Sequence, residues 1–240
     1  MERNRNPKYR RVLLKISGEA IRGPDSVFDF GIVKRIASEI LLLQKKGVEI
    51  GLVIGGGNII RGEKLFEHGL DRNRSDYMGM TATIINGLLF ENILKSIGAS
   101  VILQSALPID TVAESIDLNK TSFHLSEKTI VIFAAGTGNP YFTTDTAAAL
   151  RALEINAQLL IKATKVDGVF DKDPEVYSDA KFYKTLTYNE VLEKNLKVMD
   201  MTAISLCRDG KLPVMVFNIN KSDNIVKIVM GDNLGTTIKE

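Results

Sequence analysis

Basic, hydroxyl and glycine residues follow two apolar segments near the start of this 240-residue sequence. Lys15 lies at the end of the segment RVLLKI and is followed by Ser17 and Gly18. A second apolar segment ends in Gly55-Gly56-Gly57, and Arg61 stands about one helical turn further on. Glycine-rich turns let backbone N–H groups approach an anion, and arginine binds phosphate through a fork of donors. The pattern favours phosphate binding; a tight turn and a lysine that extends into solvent are the structural alternatives.

Two further polar segments lie in the middle of the chain. The first, GTGNPYFTTD at residues 136–145, is rich in hydroxyl groups, hydrogen-bond donors and aromatic rings. Its last residue, Asp145, stands where a helix is expected to begin, and an aspartate there most often caps the helix. A capping aspartate can also face a metal–phosphate complex. The second segment, KATKVDGVF at residues 162–170, indicates a strand and a turn that could hold a nucleotide.

The combination of cations, glycine-rich donors and a few carboxylates is typical of phosphoryl transfer, which depends on positioning and charge neutralisation. The sequence contains no G-x-x-x-x-G-K-[ST] motif, and Ile60 stands where the dinucleotide fingerprint would need glycine. Its single cysteine, Cys207, and its two histidines, His68 and His124, are expected to be structural. An intramolecular disulfide or a multi-cysteine zinc site is therefore excluded, and no metal site built from protein side chains is predicted.

Alternating strands and helices must position these residues. Strands are predicted at residues 11–16, 48–54, 100–104, 129–134, 157–162, 214–217 and 236–239. Helices are predicted at 29–46, 76–97, 145–155, 199–208 and 222–230, with a short helix opened by the capping-box spacing of Thr187 and Glu190. This alternation predicts an α/β fold with a mostly parallel sheet covered on both faces. Such sheets bind ligands beyond the carboxyl ends of their strands, where the four polar segments converge.

Composition limits the class of protein. The net charge is +2, 45% of residues are hydrophobic and 25% are charged, which is ordinary for a globular protein and argues against a dedicated nucleic-acid binder. No apolar run approaches the ~18 residues of a membrane span, and the basic N-terminus lacks the apolar region of a signal peptide. A cytoplasmic location is expected. Without a linker or a repeat, residues 1–240 are expected to form a single domain with two lobes.

Longer segments of the sequence match a known family in order along the chain. They are residues 14–20, 53–58 with 61–62, 76–80, 135–145, 162–170, 197–200 and 216–218. On these segments the sequence resembles the bacterial uridylate kinases of the amino acid kinase family, over about residues 8–240. GTGNPYFTTD and KATKVDGVF are the most specific matches. The resemblance implies a three-layer αβα sandwich that transfers the γ-phosphoryl group of ATP, with Mg²⁺, to UMP.

The resemblance also implies roles for individual residues. It gives catalytic roles to Lys15, Arg61 and Asp145. It places ATP against Lys15, Ser17, Gly18, Gly57, Arg61, Lys162, Thr164, Phe170 and Asp173. It places UMP against Gly56, Asp76, Thr137, Gly138, Asn139, Pro140, Tyr141, Phe142, Thr143 and Thr144, with Asp76 on the ribose. The N-terminal lobe would then hold mainly the acceptor and the C-terminal lobe mainly ATP. Phe170 stands where some members carry tyrosine, and either ring can stack on a base.

Assembly and regulation are implied in the same way. The family enzyme is a homohexamer that is usually activated by GTP and inhibited by UTP, and no membrane or nucleic-acid partner is expected. Residues 22–30 lie where the family's variable, GTP-responsive segment begins, and they differ from its commonest form. Two other functions stay open at this point. One is a kinase of the same family that makes an acyl phosphate, and the other is a non-catalytic pyrimidine-nucleotide sensor that keeps the fold.

If the acceptor is a phosphate group, we expect a mechanism without a general base. Kinases for hydroxyl acceptors position an aspartate to take the proton. The second pKa of a phosphate monoester is about 6, so most UMP is already a dianion at pH 7. We therefore expect Asp145 to orient the metal–phosphate complex or a lysine and to remove no proton. Mg²⁺ would be held mainly by phosphate oxygens and water, with at most one or two carboxylates from the protein.

Overall fold

Apolar side chains cover both faces of a central sheet. The computed structural model describes residues 6–174 and 176–240, apart from the side chains of residues 63 and 64. Along the first strand, Val12 and Leu14 belong to one buried cluster and Leu13 belongs to another. Successive side chains of a strand point to opposite faces. The sheet is therefore buried on both sides, which explains why its central strands are almost wholly apolar.

Most strands in the described residues join one sheet. The strands are β1 (Arg11–Ile16), β2 (Glu49–Ile54), β3 (Val101–Ser105), β4 (Glu114–Ser115), β5 (Ile130–Ala134), β6 (Leu159–Thr164), β7 (Val169–Phe170), β8 (Phe182–Tyr183), β9 (Thr185–Thr187), β10 (Val214–Asn218) and β11 (Thr236–Lys239). Nine of them form a sheet in the order β4-β3-β5-β2-β1-β6-β10-β11-β9. Its pairings are parallel except for β10 with β11, and β7 with β8 forms a separate antiparallel hairpin.

Helices form the two outer layers. They are α1 (Phe30–Lys45), α2 (Gly62–Glu67), α3 (Arg72–Ser96), α4 (Leu118–Ser126), α5 (Thr144–Glu154), α6 (Tyr188–Glu193), α7 (Met201–Asp209) and α8 (Asn224–Val229). Helices α1, α3 and α8 pack on one face of the sheet, and α4 to α7 pack on the other. Among the described residues, no helix combines the length and the hydropathy that a membrane span requires. The result is the expected αβα sandwich.

The structure confirms the predicted alternation and changes several boundaries. The long helix begins at Arg72 and not at residue 76, because Asp71 caps it by accepting a hydrogen bond from the Arg74 backbone. The capping box of Thr187 and Glu190 is present. Helices α2 and α4 and the β7–β8 hairpin were not predicted. These elements are short, so few apolar positions repeat within them and the periodicity signal is weak.

A buried pair of asparagines shapes the glycine turn after β2. Asn86 of α3 donates through Nδ2 to the carbonyl oxygen of Gly55 at 2.6 Å and to Oδ1 of Asn58 at 2.7 Å. Asn58 in turn donates to the carbonyl oxygen of Val27. A Cβ atom at Gly18 would lie 2.6 Å from both Gly55 O and Asn58 Oδ1. Only glycine fits at position 18, and the two turns therefore pack directly against each other.

Replacing Asn86 by alanine should lower the free energy of unfolding by about 1–3 kcal/mol, because buried polar groups of the turn lose their partner. Urea denaturation of the purified protein measures the effect. Asn73→Ala is the matched control, since Asn73 is exposed on the same helix, and it should change stability by no more than about 0.5 kcal/mol. Equal effects of the two substitutions would show that the buried asparagine pair does not stabilise the turn.

Candidate active site

Two lysines and one aspartate form the centre of the site. Lys15 on β1 and Lys162 on β6 are direct partners in the parallel register of the two strands. Leu13 and Leu160, two residues before them, pack in the cluster on the α5 side of the sheet, so both lysines point to that side. Asp145 in the first turn of α5 lies between them. Its Oδ1 is 2.8 Å from Nζ of Lys15, and its Oδ2 is 2.6 Å from Nζ of Lys162.

The charges in this cluster determine its protonation states. Burial alone would raise the pKa of Asp145, but the ammonium groups of Lys15 and Lys162 outweigh it and lower that pKa to about 2. Burial lowers the pKa of Lys162 from its ordinary value, against the opposing attraction of Asp145. Asp145 is therefore ionised at neutral pH and is a very weak base.

The start of α5 is capped by Thr143 and not by Asp145. The hydroxyl oxygen of Thr143 accepts hydrogen bonds from the backbone N–H groups of Asp145 and Thr146. Capping, one of the two interpretations of Asp145 that the sequence left open, is wrong, because its carboxylate turns toward the two lysines. The backbone N–H of Asp145 takes part in the cap, and its carboxylate contacts Lys15 and Lys162.

Asp200, the residue that caps α7, holds the same helix start from the other side. Its Oδ2 accepts a hydrogen bond from the hydroxyl group of Thr143 at 2.5 Å, and its Oδ1 accepts one from the hydroxyl group of Thr146 at 2.8 Å. Two residues earlier, the carbonyl oxygen of Val198 accepts a hydrogen bond from Nζ of Lys162. Residues 198–200 therefore fix both the aspartate-bearing helix and one of the lysines.

Two cavities meet at Lys15 and Ser17, which line both of them. The first cavity has a volume of about 660 Å³ and is lined mainly by residues 162–198. The second has a volume of about 460 Å³ and is lined mainly by residues 15–145. Lys162 lines the first cavity and Asp145 lines the second, so the charged cluster lies between the two spaces.

The first cavity contains the C-terminal residues that the resemblance implied for ATP: Lys162, Thr164, Phe170 and Asp173. The hydroxyl group of Thr164 donates to the carbonyl oxygen of Val166 at 2.8 Å, which closes the turn after β6. Phe170 packs edge to face on Phe182 across the β7–β8 hairpin, with ring centroids 5.4 Å apart. The hairpin therefore supports an aromatic ring at the cavity wall.

The second cavity contains the glycine turn and most of the acceptor residues that the resemblance implied. Its lining includes Gly56, Asp76, Thr137, Asn139, Phe142, Thr143 and Thr144. At its rim, Arg61 forms an ion pair of 2.8 Å with Glu19. Asp76 accepts hydrogen bonds on Oδ2 from Nε of Arg72 and from the backbone N–H of Tyr141, each at 2.8 Å.

Several residues do not line the cavity in which the other residues implied for the same ligand lie. Gly18, Gly57 and Arg61, implied for ATP, line the second cavity beside Ser17. Gly138, Pro140 and Tyr141 share the acceptor loop but line neither of the two cavities. A Cβ atom at Gly138 would lie 3.0 Å from the carbonyl oxygen of Ala106, so this glycine serves a close backbone approach. The ligand assignments of these residues stay predictions.

The charged residues at the site that were not predicted include Glu19, Arg72 and Asp200, which bind predicted site residues. Arg72 stands four residues before Asp76 on α3, a spacing at which opposite charges pair on a helix, so the sequence contained a usable signal. Glu19 and Asp200 lie within segments that match the family, but neither spacing nor composition indicates their partners. Those partners, Arg61 and the two threonine hydroxyls, are distant in sequence.

Three carboxylates at the site already have cationic partners. Glu19 pairs with Arg61, Asp76 with Arg72, and Asp145 with both lysines. Within residues 6–174 and 176–240, no three His, Cys, Asp or Glu side chains come together as a metal-binding group.

Two adjoining spaces, with fixed cations between them at the carboxyl ends of parallel strands, suit the transfer of a phosphoryl group between two bound substrates. The chain belongs to the amino acid kinase family, whose family model matches residues 10–218.

Among its relatives is the uridylate kinase of Methylococcus capsulatus, which is 50% identical over 233 residues, 97% of this chain and 98% of that protein. The UMP kinase structure from Ureaplasma parvum is similar with a TM-score of 0.91 and 40% identity, over 96% of this chain and 99% of that one. The UMP kinase structure from Bacillus anthracis gives a TM-score of 0.92 and 40% identity, over 96% of each chain. The fold class and the family resemblance are thereby confirmed.

Replacing Asp145 by asparagine should lower the free energy of unfolding by about 3–5 kcal/mol at neutral pH, because two buried ammonium groups then lack a counter-charge. The wild-type carboxylate stabilises the fold above its ordinary pKa of 3.8, and this contribution is lost as the pH falls through about 2. The stability difference between wild type and Asp145→Asn should therefore shrink as the pH is lowered from 4 toward 2. Urea titrations along this pH series measure it.

The control is the double variant Asp145→Asn, Lys162→Met, which removes one of the opposed lysines and should recover part of the lost stability. A stability difference that stays constant down to pH 2 would contradict the assigned charge state of Asp145.

Proposed function

We propose that this chain is a UMP kinase that converts MgATP and UMP into MgADP and UDP. The observation on which the proposal depends is the meeting of two cavities at Lys15, beside the Asp145 carboxylate and Lys162. Relatives that are 40–50% identical over nearly the whole chain are named uridylate kinase or UMP kinase. These matches favour a nucleoside monophosphate as acceptor over a carboxylate or a carbamate.

ATP would occupy the first cavity, with its base and ribose near Thr164, Phe170 and Asp173. Its phosphates would extend past Lys162 and Lys15 toward the turn at Ser17 and Gly18. UMP would occupy the second cavity, between the glycine turn and residues 137–144. Because the first cavity is lined mainly by later residues and the second by earlier ones, one domain with two functional lobes is the organisation that we propose.

The chemical step needs no proton transfer. An oxygen of the UMP phosphate forms a bond to the γ-phosphorus of ATP while the bond from that phosphorus to the bridging oxygen breaks. The electron pair leaves with ADP. Lys15 and Lys162 neutralise charge that moves between the nucleotides, and Arg61 reaches the same region from the rim of the second cavity. Donors fixed in advance favour the transition state because they need not reorganise during the reaction.

Asp145 would hold the two lysines in position. A carboxylate with a pKa of about 2 is a poor proton acceptor, and both of its oxygens already face ammonium groups. Mg²⁺ would arrive with ATP and shield the phosphate charges. These features support the mechanism without a general base.

The proposal extends to assembly and regulation. On the family resemblance alone, we propose a cytoplasmic homohexamer with GTP as activator and UTP as inhibitor. Residues 22–30 are the segment in which this chain would differ from its relatives in the response to GTP.

A coupled assay of ADP formation with MgATP tests the acceptor. UMP should exceed CMP, dTMP, acetate and carbamate in kcat/KM by more than about tenfold, because a site built to hydrogen-bond one substrate rejects analogues with mismatched groups. The control is Lys15→Ala, whose kcat should be lower by a factor of about 10²–10³. Activity that stays unchanged in this variant would come from contaminating kinases. Preference for carboxylate or carbamate would indicate an acyl-phosphate kinase, and UMP binding without ADP formation would indicate a sensor.

The pH dependence of kcat/KM for UMP tests the absence of a general base. The acidic limb should follow the second ionisation of the UMP phosphate near pH 6 in wild type and in Asp145→Asn alike. The variant should be slower throughout, and its profile should keep the wild-type shape. The assay is run at a temperature at which both proteins are folded. An acidic limb that disappears in Asp145→Asn would identify Asp145 as the titrating base and exclude this mechanism.

A further inference from the structure

The carboxylate of Asp76 is held by two donors from different parts of the chain. Nε of Arg72 lies one helical turn before it on α3, and the backbone N–H of Tyr141 belongs to the loop between β5 and α5. Both donate to Oδ2 at 2.8 Å, so Oδ1 keeps most of the remaining capacity to accept a hydrogen bond. A Cβ atom at Gly62 would lie 2.9 Å from this Oδ1. The same Cβ atom would lie 2.7 Å from the carbonyl oxygen of Ser75, so glycine at position 62 lets the start of α2 pack closely against Asp76.

The guanidinium of Arg72 contacts aromatic rings from two other segments. Its central carbon lies 5.3 Å from the ring centroid of Tyr141 and 5.8 Å from that of Phe66 on α2. Both distances are within the range of a cation–π interaction. Arg72 thus joins α2, α3 and the loop of residues 137–144, and it contacts the side chain of the same tyrosine whose backbone binds Asp76.

The contact between Arg72 and Tyr141 involves a residue whose backbone conformation is unfavourable. Tyr141 has a φ of +72°, in the left-handed region that L-residues adopt only at a cost. The residue is 65% exposed, so core packing does not hold it. The hydrogen bond to Asp76 and the contact with Arg72 both act on Tyr141 in this conformation.

We infer that Arg72 is a positioning residue for the acceptor nucleotide: it fixes the Asp76 carboxylate toward the ribose and holds the Tyr141 loop over the same site. This inference rests on the proposed function and deepens it. Arg72 and Asp76 both line the second cavity. Arginine is suited to the role because its planar group forms a directed hydrogen bond and lies against a ring at the same time, which a lysine ammonium does not reproduce.

Arg72→Gln tests the inference through steady-state kinetics with UMP and with 2′-deoxy-UMP, each against MgATP. We expect KM for UMP to rise about tenfold, because a charge-assisted hydrogen bond is lost, while KM for ATP stays within about twofold. The wild-type preference for UMP over 2′-deoxy-UMP should shrink, since a misplaced carboxylate no longer distinguishes the ribose. Arg72→Lys should recover only part of the affinity.

Arg74→Gln is the matched control, because Arg74 is exposed on the same helix two residues further on, and it should behave as wild type. Equal losses with UMP and 2′-deoxy-UMP in Arg72→Gln, or a KM for UMP within about twofold of wild type, would overturn the inference. Failure of the wild-type protein to phosphorylate UMP would instead overturn the proposed function. The two failures are therefore distinguishable in one experiment.

Discussion

Two lysines stand side by side on adjacent parallel strands, and the carboxylate of Asp145 lies between them. Lys15 and Lys162 occupy paired register positions on the same face of the sheet. The distance between their backbones is therefore fixed by the pairing of the two strands. Like charges held together in a partly buried place repel strongly, because little water screens them. Asp145 offsets this repulsion because one of its carboxylate oxygens forms an ion pair with each lysine. Helix α5 must therefore begin at this point, and the hydroxyl bonds to Asp200 secure it there.

The same cluster separates the two cavities, and this arrangement suits a reaction between two anions. A nucleoside triphosphate and a nucleoside monophosphate repel each other, and their reacting phosphates can approach only where positive charge is already in place. The two lysines place positive charge at the wall between the cavities, and Arg61 places it at the rim of the second cavity. Because the sheet and α5 hold these groups, little reorganisation is needed when the phosphoryl group moves.

Periodicity and turn residues predicted the strands, the long helices and the edge of the sheet that bears the site. Lys15, Lys162 and the glycine turn could be placed because each directly follows or ends an apolar strand. The sequence could not show which carboxylate meets which cation. Local sequence indicated a helix cap as one interpretation of Asp145, since capping is a local property, and the family resemblance implied a site role beside a metal–phosphate complex or a lysine. Neither identified Lys15 as its partner, because that contact joins residues 130 positions apart. Asp200 and Asn86 were missed for the same reason.

The seam between β1 and β6 divides the sheet into two runs of strands, one on each side. Five consecutive register pairs, from Val12 with Leu159 to Ile16 with Ala163, close this seam. Both lysines lie within the paired stretch, so the two halves cannot move apart as hinged lobes without breaking main-chain hydrogen bonds next to these lysines. The seam therefore keeps the two lysines at a fixed separation, and any opening of the two cavities would have to come from the loops around them.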